Sequence, residues 1–520
     1  MTTFFDEPIE FNLQEGVGAP VWRGAVPDGE ALLTFAIAVH RNDGRIAAIW
    51  GSDERQRSGG FRLNVVFGFE SGHLQVSLDM PADNPVYPDL SGIFATANRM
   101  QRATRDMVGI ATEGGDQRPW LRHGGWPADW YPLRHDAGEG QAWGNEPSDY
   151  AFVQVEGQGA HEIPVGPIHA GIIEPGHFRF SVIGEKVLRL EQRLGYQHKG
   201  VEKRFIGMDL NAGARLVGRI SGDSTCTYAW AYASAIEAAC GVEPTGRALG
   251  LRALILERER VANHLGDLAM LGNDAALGFG LSQFFRLKED WVALSGRLFG
   301  HRFMMDRIVP GGVNQDLDAT ALAAITEQCI VIAREVGILK KIYDDHAGLQ
   351  DRFLTTGPIG PELVRELSLT GMAARASGVM LDGRAWRLDY TPPPPYAGLG
   401  VRPATDERGD VAARAAVRFL EIFESLRLMQ KLAATLPSGP VRLEVPPKPG
   451  GQGLGVIEGW RGEVLVGVSL DDKGKLARVH PHDPSWQAWP ALEHAVLRDI
   501  VPDFPLINKS FNLSYSGVDL

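Results

Sequence analysis

The chain has 520 residues, of which 44% are hydrophobic, and it carries a formal net charge of -12 at pH 7. This length allows two or three domains with a sizeable core, and the acidic balance gives no reason to expect nucleic acid as a partner. No apolar run approaches the roughly 18 residues that a membrane-spanning helix needs, and the start MTTFFDEP lacks the basic residues of a secretory signal. We therefore expect an intracellular protein that reaches a membrane only through a partner.

Cysteine usage agrees with a reducing compartment. The three cysteines, Cys226, Cys240 and Cys329, are too few and too scattered for a disulfide framework. No Cys-x-x-Cys pair occurs anywhere in the sequence. This absence limits the metal chemistry that is open to the chain.

Four β-like runs between residues 31 and 80 predict an antiparallel meander: ALLTFAIAVH, RIAAIW, FRLNVVFGFE and HLQVSLDM. Turn clusters such as Arg41-Asn42-Asp43-Gly44 separate them. After Pro88-Asp89, apolar residues at 90, 93, 94, 97 and 100 recur at helical spacing and predict a helix. Residues 1–137 are thus predicted to form a small α+β domain, and the glycine-rich residues 138–160 a linker.

Three histidines, His161, His169 and His177, follow at equal intervals of eight. Prolines between them make the chain turn repeatedly, so a loop can aim imidazoles inward. The alternating residues 178–182 predict a strand with one buried face. A single histidine is more often structural than chemical, and no His-Glu-x-x-His pattern or matching thiol supports zinc.

The remainder of the chain predicts a helix-bundle core. A small-residue run covers residues 212–241, an apolar stripe covers 251–268, and further helical segments cover 281–300, 319–345, 361–377 and 410–435. A β-hairpin is predicted around Asp472-Lys473-Gly474. The pattern Gly451-x-Gly453-x-Gly455 follows no strand, so we reject a dinucleotide fingerprint.

Two stretches carry a resemblance to a known superfamily. GPIHAGIIEPGHFRF followed by LGYQHKGVEK, within residues 166–203, resembles the large subunit of membrane-bound nickel-iron hydrogenases of the formate hydrogenlyase type. More distantly, it resembles the hydrogenase-like subunit of respiratory complex I. Residues 105–136 look like the smaller hydrophilic complex I subunit.

The resemblance implies two subunits fused in one chain. An α+β N-terminal domain (1–137) is followed by a mainly α-helical, hydrogenase-large-subunit-like domain with small β elements (161–520). In the family the N-terminal domain holds subunits together. Asp106 and Arg134 are therefore expected to be docking or structural residues.

Hydrogenases of this family hold nickel and iron with two cysteine pairs, in Arg-x-Cys-Gly-x-Cys and Asp-Pro-Cys-x-x-Cys. The corresponding stretches here are RISGDS (219–224) and, as the best match, SFNLSY (510–515). The resemblance thus places Ser221, Ser224, Asn512 and Tyr515 at the four thiolate positions. Because such soft metal centres demand soft ligands, we expect no metal in this chain and no hydrogen activation.

In complex I the corresponding cavity receives a quinone headgroup, whose oxyanions are stabilised by positioned donors that also deliver protons. The catalytic histidine-aspartate pair of the family matches His177 and Asp274, with His169 as a rival for the histidine. The quinone-binding tyrosine matches Gly222. A second hydrogen bond to quinone would then come from Asp223, Ser224 or Tyr228.

Asp382 and Arg384 have two interpretations. They join a polar wall of that cavity, or they form a surface pair at a capped turn. The residues alone leave both open.

The resemblance implies an electron-transfer oxidoreductase subunit of a complex similar to NADH:quinone oxidoreductase or formate hydrogenlyase, peripheral at the cytoplasmic face of the inner membrane. It implies an iron-sulfur small subunit and membrane subunits as partners, and quinone as substrate. We expect no cofactor bound by this chain, and any NAD chemistry would occur on another subunit. The alternative is a non-catalytic scaffold that kept the hydrogenase fold and lost both the metal and the quinone site.

Overall fold

The computed structural model describes residues 12–13, 20–138, 144, 150–171, 173–385 and 395–520, so part of the predicted linker lies outside the described residues. The N-terminal unit is built on a five-stranded sheet with the order β1-β2-β5-β4-β3. Its strands are Asn12–Leu13 (β1), Val21–Val26 (β2), Arg45–Asp53 (β3), Gly60–Phe69 (β4) and Gly72–Pro81 (β5). The same unit contains the helices Gly29–Arg41 (α1) and Ala97–Val108 (α2) and a small parallel pair, Val86–Pro88 (β6) with Ala111–Glu113 (β7).

The first predicted strand, residues 31–40, is wrong, because this run lies inside helix α1. The carboxylate of Asp28 caps the helix by accepting a hydrogen bond from the Ala31 backbone N–H at 2.9 Å. The buried residues Leu32, Phe35, Ala36 and Val39 fall at helical spacing. The predicted meander is also wrong in its pairing, since β2 runs parallel to β5. The other three predicted strands are present as β3, β4 and β5.

The second unit starts with a three-stranded antiparallel sheet and continues into a helical core. The sheet has the order β10-β9-β8. Its strands are Ala160–Val165 (β8), His177–Ile183 (β9) and Lys186–Arg193 (β10). The helices and short strands that follow are Val201–Phe205 (α3), Leu210–Val217 (α4), Thr225–Cys240 (α5), Gly246–Asp274 (α6), Gly278–Phe299 (α7), Ile308–Val309 (β11), Gly312–Val313 (β12), Ala319–Asp345 (α8), Ala347–Phe353 (α9), Pro361–Glu366 (α10), Gly371–Arg375 (α11) and Val411–Thr435 (α12).

A second antiparallel sheet and three helices complete the chain. They are Gln452–Glu458 (β13), Glu463–Leu470 (β14), Leu476–His482 (β15), Ser485–Ala495 (α13), Phe504–Phe511 (α14) and Ser516–Asp519 (α15). The turn between β14 and β15 contains the predicted hairpin residues 472–474. Among the helices of the described part of the chain, none combines the length and the apolarity needed to cross a bilayer.

Helix α6 is the centre of the bundle, because it packs against α7 and α12 and is buried along most of its 29 residues. The predicted helix over 212–241 is divided into α4 and α5 by a 3-10 turn at Gly222–Ser224. The predicted helix over 361–377 is likewise divided, and Ser368 between its two parts has a positive φ of 53°. The first division matters for function, because it opens the helix at the first motif.

Helix α5 lies directly on strand β13. A methyl group added at Gly453 or Gly455 would collide with the carbonyl oxygens of Ala235 and Ala231 on α5. The glycine pattern that resembled a nucleotide fingerprint therefore serves helix-on-strand packing.

The two units share a buried polar contact. The guanidinium of Arg45 donates two hydrogen bonds to the Glu463 carboxylate, at 2.9 and 2.8 Å, and His73 lies 3.0 Å from the same group. Burial alone would raise the pKa of the Glu463 carboxyl, but Arg45 and His73 hold this pKa well below its ordinary value. A deeply buried ion pair therefore ties the N-terminal sheet to β14.

Candidate functional site

Three segments that are distant in sequence meet at one place. They are the 3-10 turn before α5, the turn between β13 and β14, and the C-terminal segment between α14 and α15. Gly222, Asp223, Glu259, Asn263 and Phe303 line a small cavity of about 10 Å³ here, which we name the central cleft. A methyl group added at Gly222 would meet no atom within 4 Å, so the cleft is open on this side.

An ion pair forms one wall of the central cleft. The Arg461 guanidinium binds the Asp223 carboxylate with Nη2 at 2.5 Å from Oδ2 and Nη1 at 3.0 Å from Oδ1. Burial would raise the pKa of the Asp223 carboxyl, but Arg461 and the hydroxyl of Ser221 hold it at about 2. Because 39% of the Asp223 side chain stays exposed, this fixed negative charge faces the opening.

Arg461 is positioned by its neighbours. Its guanidinium stacks over the Trp460 ring at 3.9 Å. Its Nε donates to the backbone carbonyl of Asn512 at 2.5 Å, and its Nη1 donates to the Ser224 hydroxyl at 3.2 Å. The guanidinium therefore joins all three segments of the cleft.

The serine of the first motif meets the C-terminal segment at Ser514. The hydroxyl oxygens of Ser221 and Ser514 lie 3.0 Å apart. Asn512 instead donates from Nδ2 to Asp267 at 2.7 Å, and the Tyr515 ring packs against Trp489 at 4.8 Å. The structure thus places Ser514, and not Asn512 or Tyr515, in hydrogen-bond contact with Ser221.

The second motif also admits a register two residues later. When Asp-Pro-Cys-x-x-Cys is placed on Asn512-Leu513-Ser514-Tyr515-Ser516-Gly517, its two sulfur positions become Ser514 and Gly517. The backbone N–H of Gly517 donates to the Ser514 hydroxyl at 2.9 Å, so these two positions adjoin each other. A sequence match without a spatial constraint cannot separate the two registers.

Tyr228 is fully buried and does not line the central cleft. Its hydroxyl donates to Asp483 Oδ2 at 2.8 Å. Burial and the Asp483 carboxylate raise the pKa of this phenol well above its ordinary value. The tyrosine therefore holds a neighbouring loop.

The predicted histidine-aspartate pair does not form in the described residues. His177 Nδ1 lies 3.3 Å from the carbonyl of Gly166, and Arg179 donates to His177 Nε2 at 3.3 Å. Asp274 is the last residue of α6, and its carboxylate accepts from Asn273 at 3.3 Å. The two side chains thus have other partners, and no hydrogen bond joins them.

His169 lies nearer to the cleft segments than its rival. Its ring centroid is 6.3 Å from that of Tyr515, the residue that follows Ser514. Its Nε2 is buried and has no hydrogen-bond partner among the described residues. Burial lowers the pKa of His169.

Asp382 and Arg384 are buried, which contradicts the surface-pair interpretation. Arg384 binds the Asp382 carboxylate at 2.8 Å and reaches Glu257 on α6 at 3.0 Å. They belong to an ionic network beneath the cleft, not to its wall. Its other members, all buried, are Arg260, His264, Arg375, Tyr396, Glu421, Ser425 and Glu458.

The two singled-out residues of the N-terminal unit have structural contacts. Asp106 lies in α2 and is buried, and its Oδ2 accepts the backbone N–H groups of residues 120, 121 and 122. Arg134 donates from Nε to the carbonyl of Val108 at 2.7 Å. Both side chains therefore bind backbone groups of the N-terminal unit itself.

The donor groups at the first motif and at Ser514 do not fit a nickel-iron centre. They are hydroxyl groups at Ser221, Ser224 and Ser514, whereas such metals require thiolates. Within the described ranges, no group of three or more His, Cys, Asp or Glu side chains is arranged to hold a metal ion. The residues that sequence reasoning missed are Arg461 and Glu259, whose partners are remote in sequence.

Comparison with known proteins identifies the family. The 49-kDa subunit of the respiratory-chain NADH dehydrogenase matches residues 279–448, and the 30-kDa subunit matches residues 28–141. Formate hydrogenlyase subunit 5 of Escherichia coli is 30% identical over 496 residues, which cover 92% of this chain and 85% of that protein. The C/D subunit of NADH-quinone oxidoreductase from Bacteroides thetaiotaomicron is 27% identical over 461 residues, covering 82% and 84%.

A solved structure shares the fold. A chain from the membrane-bound sulfane sulfur reductase, an archaeal respiratory membrane complex, superimposes with a TM-score of 0.65 at 24% identity. The match covers 70% of this chain and 99% of that chain. The chain therefore belongs to the family of fused 30-kDa and 49-kDa subunits of respiratory-chain NADH dehydrogenase type, which includes formate hydrogenlyase subunit 5.

Proposed function

We propose that this chain is an electron-transfer subunit of a membrane-associated oxidoreductase complex, and that the open space beside Gly222, at the mouth of its central cleft, receives a small acceptor of the quinone class. The relatives named above support the first part, because they include subunits of hydrogenases, of NADH-quinone oxidoreductases and of a respiratory membrane complex. The partners are an iron-sulfur subunit, which supplies electrons, and membrane subunits that hold the chain at the cytoplasmic face.

The observation that carries the second part is the open space beside Gly222. It adjoins Ser221 and the fixed ion pair of Asp223 with Arg461, to which the hydroxyl groups of Ser514 and Ser224 are bound. The Ser221 hydroxyl already donates to Asp223, so the Arg461 guanidinium and the Ser224 hydroxyl are the donors for the oxygen atoms of a quinone. Such preorganised donors stabilise the charge that develops on reduction. The absent side chain leaves room for the ring.

The same donor set argues against hydrogen activation by this chain. Serine hydroxyls do not replace thiolates as ligands of soft metals. The Arg461 guanidinium, which is paired with Asp223, also binds the Ser224 hydroxyl and the carbonyl of Asn512, so it lies between these two groups. We therefore propose that the chain is not a competent nickel-iron hydrogenase.

The loop histidines have unequal support. His169 contacts Tyr515 and has an unpartnered ring nitrogen, whereas both ring nitrogens of His177 are engaged. We therefore place His169 ahead of His177 and Asp274 as the histidine that serves the acceptor. His169→Ala should lower turnover more than His177→Ala does. The reverse order would make His177 the histidine that serves the acceptor.

The test is reduction of a soluble quinone analogue by the purified complex, combined with nickel and iron analysis. Gly222→Trp should block the cleft and abolish reduction, whereas Gly222→Ala should leave it nearly unchanged, because a methyl group meets no atom there. Reduction without nickel in this chain is the expected result. Equal activity of the two variants would place the acceptor elsewhere, and no reduction by the wild-type complex would favour the scaffold alternative.

A further inference from the structure

Glu259 is a buried carboxyl in the wall of the central cleft. Its side chain is 5% exposed and lines the cleft together with Gly222, Asp223 and Asn263. Its oxygens accept hydrogen bonds from the backbone N–H of Cys226 at 2.6 Å and from the hydroxyl of Thr227 at 2.5 Å. One side of the carboxyl thus contacts the first turn of α5, and the cleft adjoins it.

No cation within the described residues forms an ion pair with Glu259. Arg258 is bound by groups on α7, and Arg302 pairs with a carboxylate on α7 at 2.6 Å. The Cys226 thiol donates to the carbonyl of Phe303. The other ionised group that faces the cleft, Asp223, is itself negative and already paired. Burial raises the pKa of Glu259 to about 7, in spite of the hydrogen bonds that favour its charged form.

A quinone-class acceptor needs protons as well as electrons. Its reduction by two electrons consumes two protons, one for each carbonyl oxygen. Asp223 cannot supply them, because Arg461 keeps it ionised near neutral pH. The Tyr228 hydroxyl is already donated to Asp483. The cleft therefore needs another acid, and a general acid works best when it can change charge near the working pH.

We infer that Glu259 delivers a proton, through a water in the central cleft, to the acceptor bound beside Gly222 at the cleft mouth. This inference rests on the proposed function. Two electrons arrive one at a time from an iron-sulfur partner. One acceptor oxygen forms its O–H bond with a proton of the cleft water, and this water takes the proton of Glu259 as the O–H bond of that carboxyl breaks. The second proton comes from solvent at the cleft mouth. The Glu259 carboxylate then regains its proton from solvent that enters the cleft beside Gly222.

The first experiment measures the carboxyl group itself, independently of turnover. Infrared spectra of the purified complex should contain a protonated-carboxyl band at pH 6 that disappears by pH 8 and is absent in Glu259→Gln. Asp519 is the matched control, because it is a second buried carboxyl whose pKa burial raises to about 7, and its Oδ1 accepts the backbone N–H of Gly195. Asp519→Asn should leave the Glu259 band in place. Absence of a Glu259-dependent band would overturn the inference and leave Glu259 as a cap of α5.

The second experiment measures turnover with a soluble quinone analogue. Glu259→Gln should lower kcat about 10- to 100-fold at pH 7, leave KM nearly unchanged and flatten the pH profile between 6 and 8. Glu259→Asp should restore part of kcat, and Asp519→Asn should change neither parameter. Unchanged kcat and pH profile in Glu259→Gln would overturn proton delivery while the proposed function stands. No reduction by the wild-type complex would overturn both, whatever the infrared titration shows.

Discussion

Glu257 and Glu259 stand two residues apart on α6 and are both buried, yet their surroundings are opposite. Glu257 binds Arg384 at 3.0 Å, and the Tyr396 hydroxyl donates to it at 2.7 Å. Glu259 has hydrogen-bond donors but no cation among the described residues. Two positions are about 200° apart around a helix, so α6 presents a fixed ionic network on one side and a carboxyl without an ion pair on the other.

The strongest test of the fixed side is the removal of one cation. Arg384→Met should destabilise the chain by about 3–5 kcal/mol, because it leaves the buried Glu257 and Asp382 carboxylates without their partner. Thermal or denaturant unfolding of the full chain measures this loss. Arg334→Met is the matched control, since this side chain is 71% exposed and should cost less than about 0.5 kcal/mol. Equal losses of stability in the two variants would show that the buried carboxylates do not depend on Arg384.

Glu202 extends the comparison to the boundary between the two units. Burial would raise the pKa of this carboxyl, but Arg478 at 2.6 Å and His480 at 2.9 Å hold it at about 2. A depressed pKa stabilises the folded chain above the unfolded-state value, and this contribution is lost as pH falls toward 2. The loss should reach about 3 kcal/mol.

Unfolding of wild type and Glu202→Gln between pH 6 and pH 2 measures the contribution of Glu202. The variant should lose less stability on acidification than the wild type does. Parallel pH curves would mean that Glu202 is equally acidic in the folded and unfolded states.

Glu259 should give the opposite pH dependence of stability. The change in the stability difference between wild type and Glu259→Gln should be smallest near pH 5. Its folded pKa lies above the unfolded value, so the folded chain keeps a proton that the unfolded chain loses. Wild-type stability should therefore fall, relative to Glu259→Gln, as pH rises from about 4.5 to 7, by at most about 1.4 kcal/mol per pH unit. Above pH 7 the difference should become constant. Unfolding curves at pH 5, 6, 7 and 8 decide this, and a difference that does not vary with pH would contradict the raised pKa.

The sequence predicts regular elements well wherever one spatial period dominates. The limits of α8 and α12 follow from apolar spacing, and the strands β3, β4 and β5 follow from alternation and turns. The run 31–40 failed because its alanines and leucines satisfy both periods, and the Asp28 cap was overlooked. The parallel pairing of β2 with β5 requires a crossover that no local pattern reveals.

The candidate site was predictable in part. The hydroxyl groups at Ser221 and Ser224 follow from one local motif, whereas the contact of Ser221 with Ser514 spans 293 positions. The same holds for the ion pair of Asp223 with Arg461, whose members are 238 positions apart. The chemistry of Glu259 depends on which cations are absent around it, and only the folded chain decides that.

The glycines of β13 have a consequence for electron transfer. Because Gly453 and Gly455 bring the strand backbone into contact with α5, no flexible side chain lies between the two elements. Direct packing of the two backbones thereby fixes the position of Ser224 before α5 and of Arg461 after β13. Walls of this kind relax little when charge arrives. At the proposed acceptor site, we expect this rigidity, which depends on the side chains that the two glycines lack, to keep the reorganisation energy low.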